Sequence, residues 1–287
     1  VDFVVRCARS AGVDLDDPLV AVDQRGMQHL VLVDLGRRVV YRFPRRPGQR
    51  RQLHSAAERL RLLAGSELPA PALLDARLSD RAGVGHLVLR YVPGRPLDEV
   101  ATDDLPGQAR SRLIEELDRT LAQVRALDPT RWPAPGPDWA ALWQDLAERA
   151  MLAELPAEIQ DHHLALAETA AAAAANAAVR VFHGDLGGVN CRIDPATGAI
   201  TGLLDWDSAV VGDPATDIAA VLAGLGPRTA EQVRTERPYW REQERRYSAY
   251  LQTWPLQFAL WSVATGTAED RRQAQALLRR SAAVAAR

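Results

Sequence analysis

The chain has 287 residues, is 47% apolar and 25% charged, and carries a formal net charge of −2. That length exceeds one small core and suits two lobes or domains, the composition is that of an ordinary globular protein, and the near-neutral charge argues against nucleic-acid or polybasic membrane partners. No apolar run reaches the ~20 residues of a membrane span. The opening Val1-Asp2-Phe3, followed by Arg6 and Arg9, does not read as a signal peptide, so a cytoplasmic protein is expected. The two cysteines, Cys7 and Cys191, suggest neither a disulfide framework nor a zinc site, and Cys191 reads as a small buried hydrophobe. There is no lysine, so any cation that grips phosphate has to be arginine.

In chain order, residues 1–13 predict a helix with Phe3, Val4, Cys7 and Ala8 on one face. Strands are expected at Leu19–Val22, His29–Val33 and Arg38–Phe43, the last two joined by a turn at Asp34–Arg37. Pro44 and Pro47 close that pair. A helix is expected over Gln49–Ala64, with Leu53, Ala57, Leu60 and Leu63 apolar and Gly65 as its stop. Strands Ala72–Ala76 and His86–Tyr91 follow, and Pro93-Gly94-Arg95-Pro96 punctuates the chain, placing a boundary between residues 92 and 93. Helices are expected at Gln108–Leu127, Asp138–Leu152 and Ala157–Ala178, strands at Val179–Phe182 and Ile200–Leu204, and helices from Ala215 onward. The fold class is α+β: a small N-terminal antiparallel sheet lobe with one helix over 1–92, and a larger, mainly helical lobe over 93–287.

The chemistry concentrates in His183-Gly184-Asp185-Leu186-Gly187-Gly188-Val189-Asn190, with Asp205 fifteen residues further on at the end of an apolar strand. The pattern H-x-D-x-x-x-x-N plus a separate Asp is the arrangement kinase-type phosphoryl transfer uses. One carboxylate, Asp185, faces an acceptor hydroxyl. An amide oxygen, Asn190, and a second carboxylate, Asp205, are hard ligands for magnesium. A strand before the loop and a hairpin after it, turning at Asp194–Gly198, would bring the three together. His183 reads as a brace for the loop. Asp207 could face a cationic acceptor or lie in water. Asp213 before Pro214 reads as a helix N-cap. Trp132, Trp139 and Trp143 read chiefly as core, His162-His163 as exposed, and the Arg241–Arg246 cluster as a solvated helix face.

These residues, with Leu203-Leu204-Asp205-Trp206 and Gly212-Asp213-Pro214, resemble the aminoglycoside phosphotransferase/choline kinase family. Val40-Tyr41-Arg42-Phe43-Pro44-Arg45-Arg46 and the His-Gly-Asp-Leu-Gly-Gly stretch are similar to its macrolide and tuberactinomycin branches. The resemblance implies a two-lobed protein-kinase-like fold, Mg2+, and ATP or GTP as donor. It also implies a small-molecule hydroxyl acceptor, an antibiotic before a metabolic sugar, choline or amino alcohol. A monomer without nucleic-acid or membrane partners is expected. By the same resemblance Arg42 stands where a phosphate-binding lysine is usual, Gly26 lies in the phosphate loop, and Arg90, Tyr91 and Val92 form the connector that binds the base. The helix glutamate that usually pairs with the cation falls at Ala56, and Glu58 reads as solvated. That gap, and a phosphate loop Gln24-Arg25-Gly26-Met27 with a single glycine, leave a nucleotide-binding scaffold with little catalysis as the alternative.

Overall fold

The computed structural model describes residues 2–23, 29–45, 50–79, 84–132, 155–175, 177–264 and 266–285. Gly26, the expected helix Asp138–Leu152, Trp139 and Trp143 lie outside the described residues. The chain gathers into two compact units, one of 1–124, 183–209 and 224–229, the other of 125–182, 210–223 and 230–287. The sequence boundary at 92/93 follows the chain. The units do not, because residues 93–124 and the 183–209 segment gather with the N-terminal sheet.

In the first unit, helix α1 (Asp2–Ala11) precedes strands β1 (Val20–Asp23), β2 (His29–Asp34) and β3 (Val39–Pro44). Helix α2 (Arg50–Leu63) and strands β4 (Leu73–Arg77) and β5 (His86–Arg90) follow. The five strands make one antiparallel sheet in the order β1-β2-β3-β5-β4. Alternation assigns its faces. Leu30, Leu32, Tyr41 and Phe43 turn to one side, where they bury against Cys7, Ala8 and Val13 and the half-buried Phe3 and Val4 of α1. Each such aliphatic or aromatic side chain contributes roughly 1.5–3 kcal/mol of burial. His29, Val31 and Arg42 must then face the other way, and Val31 and Arg42 are register partners. On α2, Leu53, Ala56, Ala57, Leu60 and Leu63 are buried at helical spacing.

The same unit holds the short strand β6 (Arg95–Pro96), helix α3 (Gly107–Arg125, all but its last residue), and the hairpin of β8 (Cys191–Asp194) and β9 (Ala199–Leu203). These three strands form a second sheet, ordered β6-β8-β9. The expected strands and turns are present within a residue or two. The two-residue β6 carries no sequence signal beyond its prolines.

The second unit contains the antiparallel pair β7 (Arg180–Phe182) and β10 (Val210–Gly212). It also holds α4 (Ala157–Ala174) and α5 (Ala215–Ala223), then α6 (Pro227–Glu236, which begins in the first unit), α7 (Pro238–Glu242) and α8 (Glu244–Gln252). The last two helices are α9 (Trp254–Ala264) and α10 (Ala268–Ala285). Its core gathers Leu155, Ala167, Leu256, Ala259, Ala274 and Leu278.

Three expectations are corrected. Helix α4 ends at Ala174, not Ala178, because the chain must be extended by Arg180 to enter β7; tertiary pairing overrides alanine propensity. His163 is fully buried rather than exposed, since α4 turns His163, Ala167 and Ala170 inward, and its Nε2 donates to the Leu278 carbonyl at 2.9 Å. Arg246 leaves the solvated face to pair with Asp213 at 3.2 Å. Asp213 does cap α5, accepting from the Ala215 N–H at 3.0 Å, and also accepts from the Tyr250 hydroxyl at 2.8 Å.

Gly198, in the β8–β9 turn, has φ +74, and a Cβ there would stand 1.8 Å from the Ala109 carbonyl oxygen of α3. The αL penalty alone is ~1–2 kcal/mol, and the overlap adds to it. Gly198→Ala is therefore expected to destabilise the fold by at least ~2 kcal/mol, read as a lowered urea midpoint at unchanged m-value.

Candidate functional site

Arg42 reaches its position because β3 alternates between the α1 core and the opposite face. Its guanidinium is almost fully buried there and makes four contacts. Nη1 donates to Asp207 Oδ1 at 2.9 Å, and Nη2 lies 2.9 Å from Asp207 Oδ2, 2.8 Å from Asp205 Oδ1 and 2.9 Å from His29 Nδ1. The fork on Asp207 is bidentate, a geometry a guanidinium fits and an ammonium does not.

Asp205 is held in the left-handed region at φ +62 and ψ +59, strained for a residue with a side chain. Its neighbours fix it. The Leu204 N–H donates to the Asn190 carbonyl at 2.8 Å, and the Trp206 indole N–H donates to the Leu203 carbonyl at 2.9 Å. Trp206 is 1% exposed and packs on His183 with ring centroids 4.5 Å apart. Gly184 comes so close to this turn, at φ +79, that a Cβ would stand 2.6 Å from the Ser208 carbonyl oxygen.

Beside it, the Asn190 amide donates to the Asp185 carbonyl at 2.8 Å and to Asp185 Oδ2 at 3.1 Å. An amide with its NH2 spent in this way presents its oxygen elsewhere. His183 Nε2 donates to the Leu204 carbonyl at 2.9 Å, and its Nδ1 accepts from the Asp185 N–H at 3.3 Å. One ring thus ties the Asp185 loop to the Asp205 strand end. Asp185, Asn190, Asp205, Asp207 and Arg42 line a cavity of about 480 Å³, together with Asp23, His29, Glu99 and Arg192 among others.

The charges explain one another. At Arg42 burial opposes ionisation, but Asp205 and Asp207 outweigh it and raise its pKa. At Asp205 burial is likewise outweighed, chiefly by Arg42, and the pKa is lowered. At Asp207 burial prevails over Arg42, with the Asp205 charge adding to it, and pushes the carboxyl up to about 7. Burial also lowers His183 to about 4 and, with help from Arg42, His29 to about 3.

Residues 28–255 match the model of a phosphotransferase enzyme family. A viomycin phosphotransferase of Streptomyces vinaceus is 31% identical over 263 residues, covering 88% of this chain and 89% of that protein. The chain belongs to the phosphotransferase enzyme family. Among solved structures, the GDP complex of aminoglycoside 2'-phosphotransferase-IIIa superposes with a TM-score of 0.81 at 19% identity, covering 99% of this chain and 98% of that one. The macrolide 2'-phosphotransferase MphH of Brachybacterium faecium gives 0.66 at 24% identity, covering 96% and 97%. These likenesses fix the fold as the protein-kinase-like α+β fold.

In this phosphotransferase the donors at hand suit magnesium. Asn190 offers an amide oxygen, and Asp205, whose side chain is 37% exposed, gives only one oxygen to Arg42. Among the described residues no group of three or more His, Cys, Asp or Glu is placed to hold a metal. A carboxylate and an amide oxygen are a partial set of the kind Mg2+ takes when phosphates and waters complete its octahedron.

The fold thus brings together Asp185, Asn190, Asp205, Arg42, His183 and Asp207. Arg90, Tyr91 and Val92 lie at the exit of β5, where the Arg90 N–H donates to the Ala72 carbonyl and the Tyr91 N–H to the Arg38 carbonyl, both at 2.9 Å. Asp207 is not a carboxylate in water: its side chain is 9% exposed and clasped by Arg42. Sequence reasoning passed over His29, Arg59 and Arg192. The alternation of β2 against β3 would have flagged His29, since it shares a face with Arg42. No helix transmembrane segment is present among the described residues.

The two buried rings should not titrate in the physiological range. The Hε1 resonances of His29 and His183 are expected to stay fixed from pH 8 to pH 5, while unfolded histidine titrates near 6.5. Because their folded pKa values lie below the unfolded ones, their contribution is full above pH 6.5 and is lost as pH falls, at ~1.4 kcal/mol per unit per ring. Movement of either resonance near pH 6.5 would contradict the burial of that ring.

Proposed function

We propose that this protein transfers the γ-phosphoryl group of ATP or GTP, with Mg2+, to a hydroxyl of an antibiotic, with a polycationic tuberactinomycin as the first acceptor class. The observation that carries the chemistry is that Asp185 and Asn190, hydrogen-bonded to each other, line one cavity with Asp205 and the Arg42 that pairs with it. The observation that favours the acceptor is the 31% identity, over nearly the whole chain, to a protein named viomycin phosphotransferase. The carboxylates of Asp23, Glu99 and Asp185 around the cavity suit a cation. Solved relatives carry GDP or ADP, which supports a nucleotide donor.

In this reading Asp185 accepts the hydrogen bond of the acceptor hydroxyl and takes its proton as the oxygen attacks phosphorus. The bond from phosphorus to the bridging oxygen breaks, and the nucleoside diphosphate leaves. Asn190 and Asp205 hold the magnesium, which neutralises phosphate charge when bound. Arg42 grips phosphate oxygens, His183 braces the loop, and Gly26 with the Arg90–Val92 connector completes the nucleotide site. The scaffold alternative drew on the absence of a carboxylate partner for Arg42 on α2 and on the sparse phosphate loop around Gly26. Asp205 and Asp207 answer the first of these, and the set Asp185, Asn190 and Asp205 favours catalysis.

The test is Mg2+-dependent phosphorylation of viomycin, with macrolides, aminoglycosides and small amino alcohols as comparison acceptors, read by mass spectrometry as gain of one phosphoryl group. Asp185→Asn is expected to lower kcat by ~10²–10⁴-fold with nucleotide affinity retained. Chelation of the metal should abolish turnover, and readdition of Mg2+ should restore it. A phosphorylated amino alcohol with untouched antibiotics would replace the antibiotic reading by a metabolic one.

A further inference from the structure

Arg42 is shared by two carboxylates, and they are not equivalent. Asp207 accepts with both oxygens, one from each terminal nitrogen of the guanidinium, and its side chain is 9% exposed. Asp205 accepts with one oxygen, from a nitrogen that also serves Asp207 and His29, and is 37% exposed. The turn carrying Asp207, Trp206–Ser208, packs against α2. There Arg59, 8% exposed, donates from Nε to the Ala209 carbonyl at 2.7 Å, and its charge is within reach of Asp207. Helix α2 therefore presents a cation to this turn, and the carboxylate that clasps the strand cation comes from the turn itself.

We infer that Asp207 is the fixed anchor of Arg42 and Asp205 its exchangeable partner, with Arg59 holding the Asp207 turn in place. The inference rests on the phosphotransfer reading above and deepens it. With a magnesium nucleotide bound, Asp205 would be the carboxylate given to the metal and Arg42 would free one edge for phosphate, while the bidentate fork to Asp207 keeps the guanidinium aimed into the cavity. Asp207 and Arg59 are positioning residues: they act through Arg42 and its turn.

The experiment uses the full chain as wild type, Asp207→Asn, Asp207→Glu, Arg42→Gln and the Asp207→Asn/Arg42→Gln double variant. Binding of Mg-ADP and Mg-GDP is measured by titration calorimetry, alongside steady-state kinetics and thermal melting. Asp207→Asn is expected to raise nucleotide Kd and KM by about tenfold, the scale of one charge-assisted hydrogen bond, and to leave the acceptor KM unchanged. Asp207→Glu, which keeps the charge, should recover part of the loss even if the Asn variant melts early. In the Arg42→Gln background the Asp207→Asn change should add nothing, because its effect runs through Arg42. Unchanged nucleotide affinity in Asp207→Asn, an undiminished effect in the double variant, or a selective rise in acceptor KM would each overturn the inference. Wild-type protein that binds nucleotide and phosphorylates acceptor isolates that failure to Asp207. Wild-type protein that binds no nucleotide overturns the phosphotransfer reading, and this inference with it.

Discussion

A guanidinium buried on the inner face of a sheet is the constraint the rest of this site answers to. Taking such a charge out of water costs several kcal/mol, and only good geometry with hydrogen-bonded counter-charges offsets it. Arg42 meets that condition through the carboxylates of Asp205 and Asp207 at 2.8–2.9 Å, with the neutral His29 ring as a further partner at 2.9 Å. Each contact imposes its own demand. The β2–β3 register must set His29 and Val31 beside Arg42's face. The turn after β9 must return two carboxylates to that face within three residues, which it does by placing Asp205 in the left-handed region. Trp206, between the two acids, is the peg of this turn: it is buried, bonded to Leu203 and stacked on His183.

Neutrality at His183 matters for the same reason. A carbonyl accepts from its Nε2 and the Asp185 N–H donates to its Nδ1, so only one neutral tautomer satisfies both bonds. An imidazolium here would set two donors against each other at Nδ1. Burial, which lowers the pKa to about 4, keeps the ring in the form that joins the loop to the strand end. Asn190 shows a comparable economy: its NH2 group is occupied by Asp185, which orients the amide oxygen.

Much of this was legible in the sequence, for identifiable reasons. The spacing from His183 to Asn190 and the strand ahead of Asp205 encode a loop and a hairpin, and a hairpin turning at Asp194–Gly198 has few ways to end. The alternation of β2 and β3 and the 3–4 spacing of α2 encode their buried faces. What stayed hidden depends on three-dimensional partners. His163 looks like any polar helical histidine until α10 supplies the Leu278 carbonyl. Asp207 looks like a loop acid because its partner lies 165 residues away on β3. The stop of α4 at Ala174 reflects the need for extended chain before β7, which no local alanine preference records.

The α2 position where the resemblance puts a glutamate holds Ala56. The physical requirement is a balance of charge around a buried cation, not an acid at one helix position. Here two carboxylates, Asp205 and Asp207, stand with two guanidiniums, Arg42 and Arg59, and the group is balanced. A glutamate at Ala56, a fully buried position, would have to bury a further negative charge. With the anion carried by the turn, α2 is free to present small residues, Ala56 and Ala57, and to pack against Trp206–Ser208. Arg59 can then tie that turn to the helix through a backbone carbonyl. The charge keeps its place in space while the element that carries it changes, and so a scan for one residue at one position misses an arrangement that still meets the requirement.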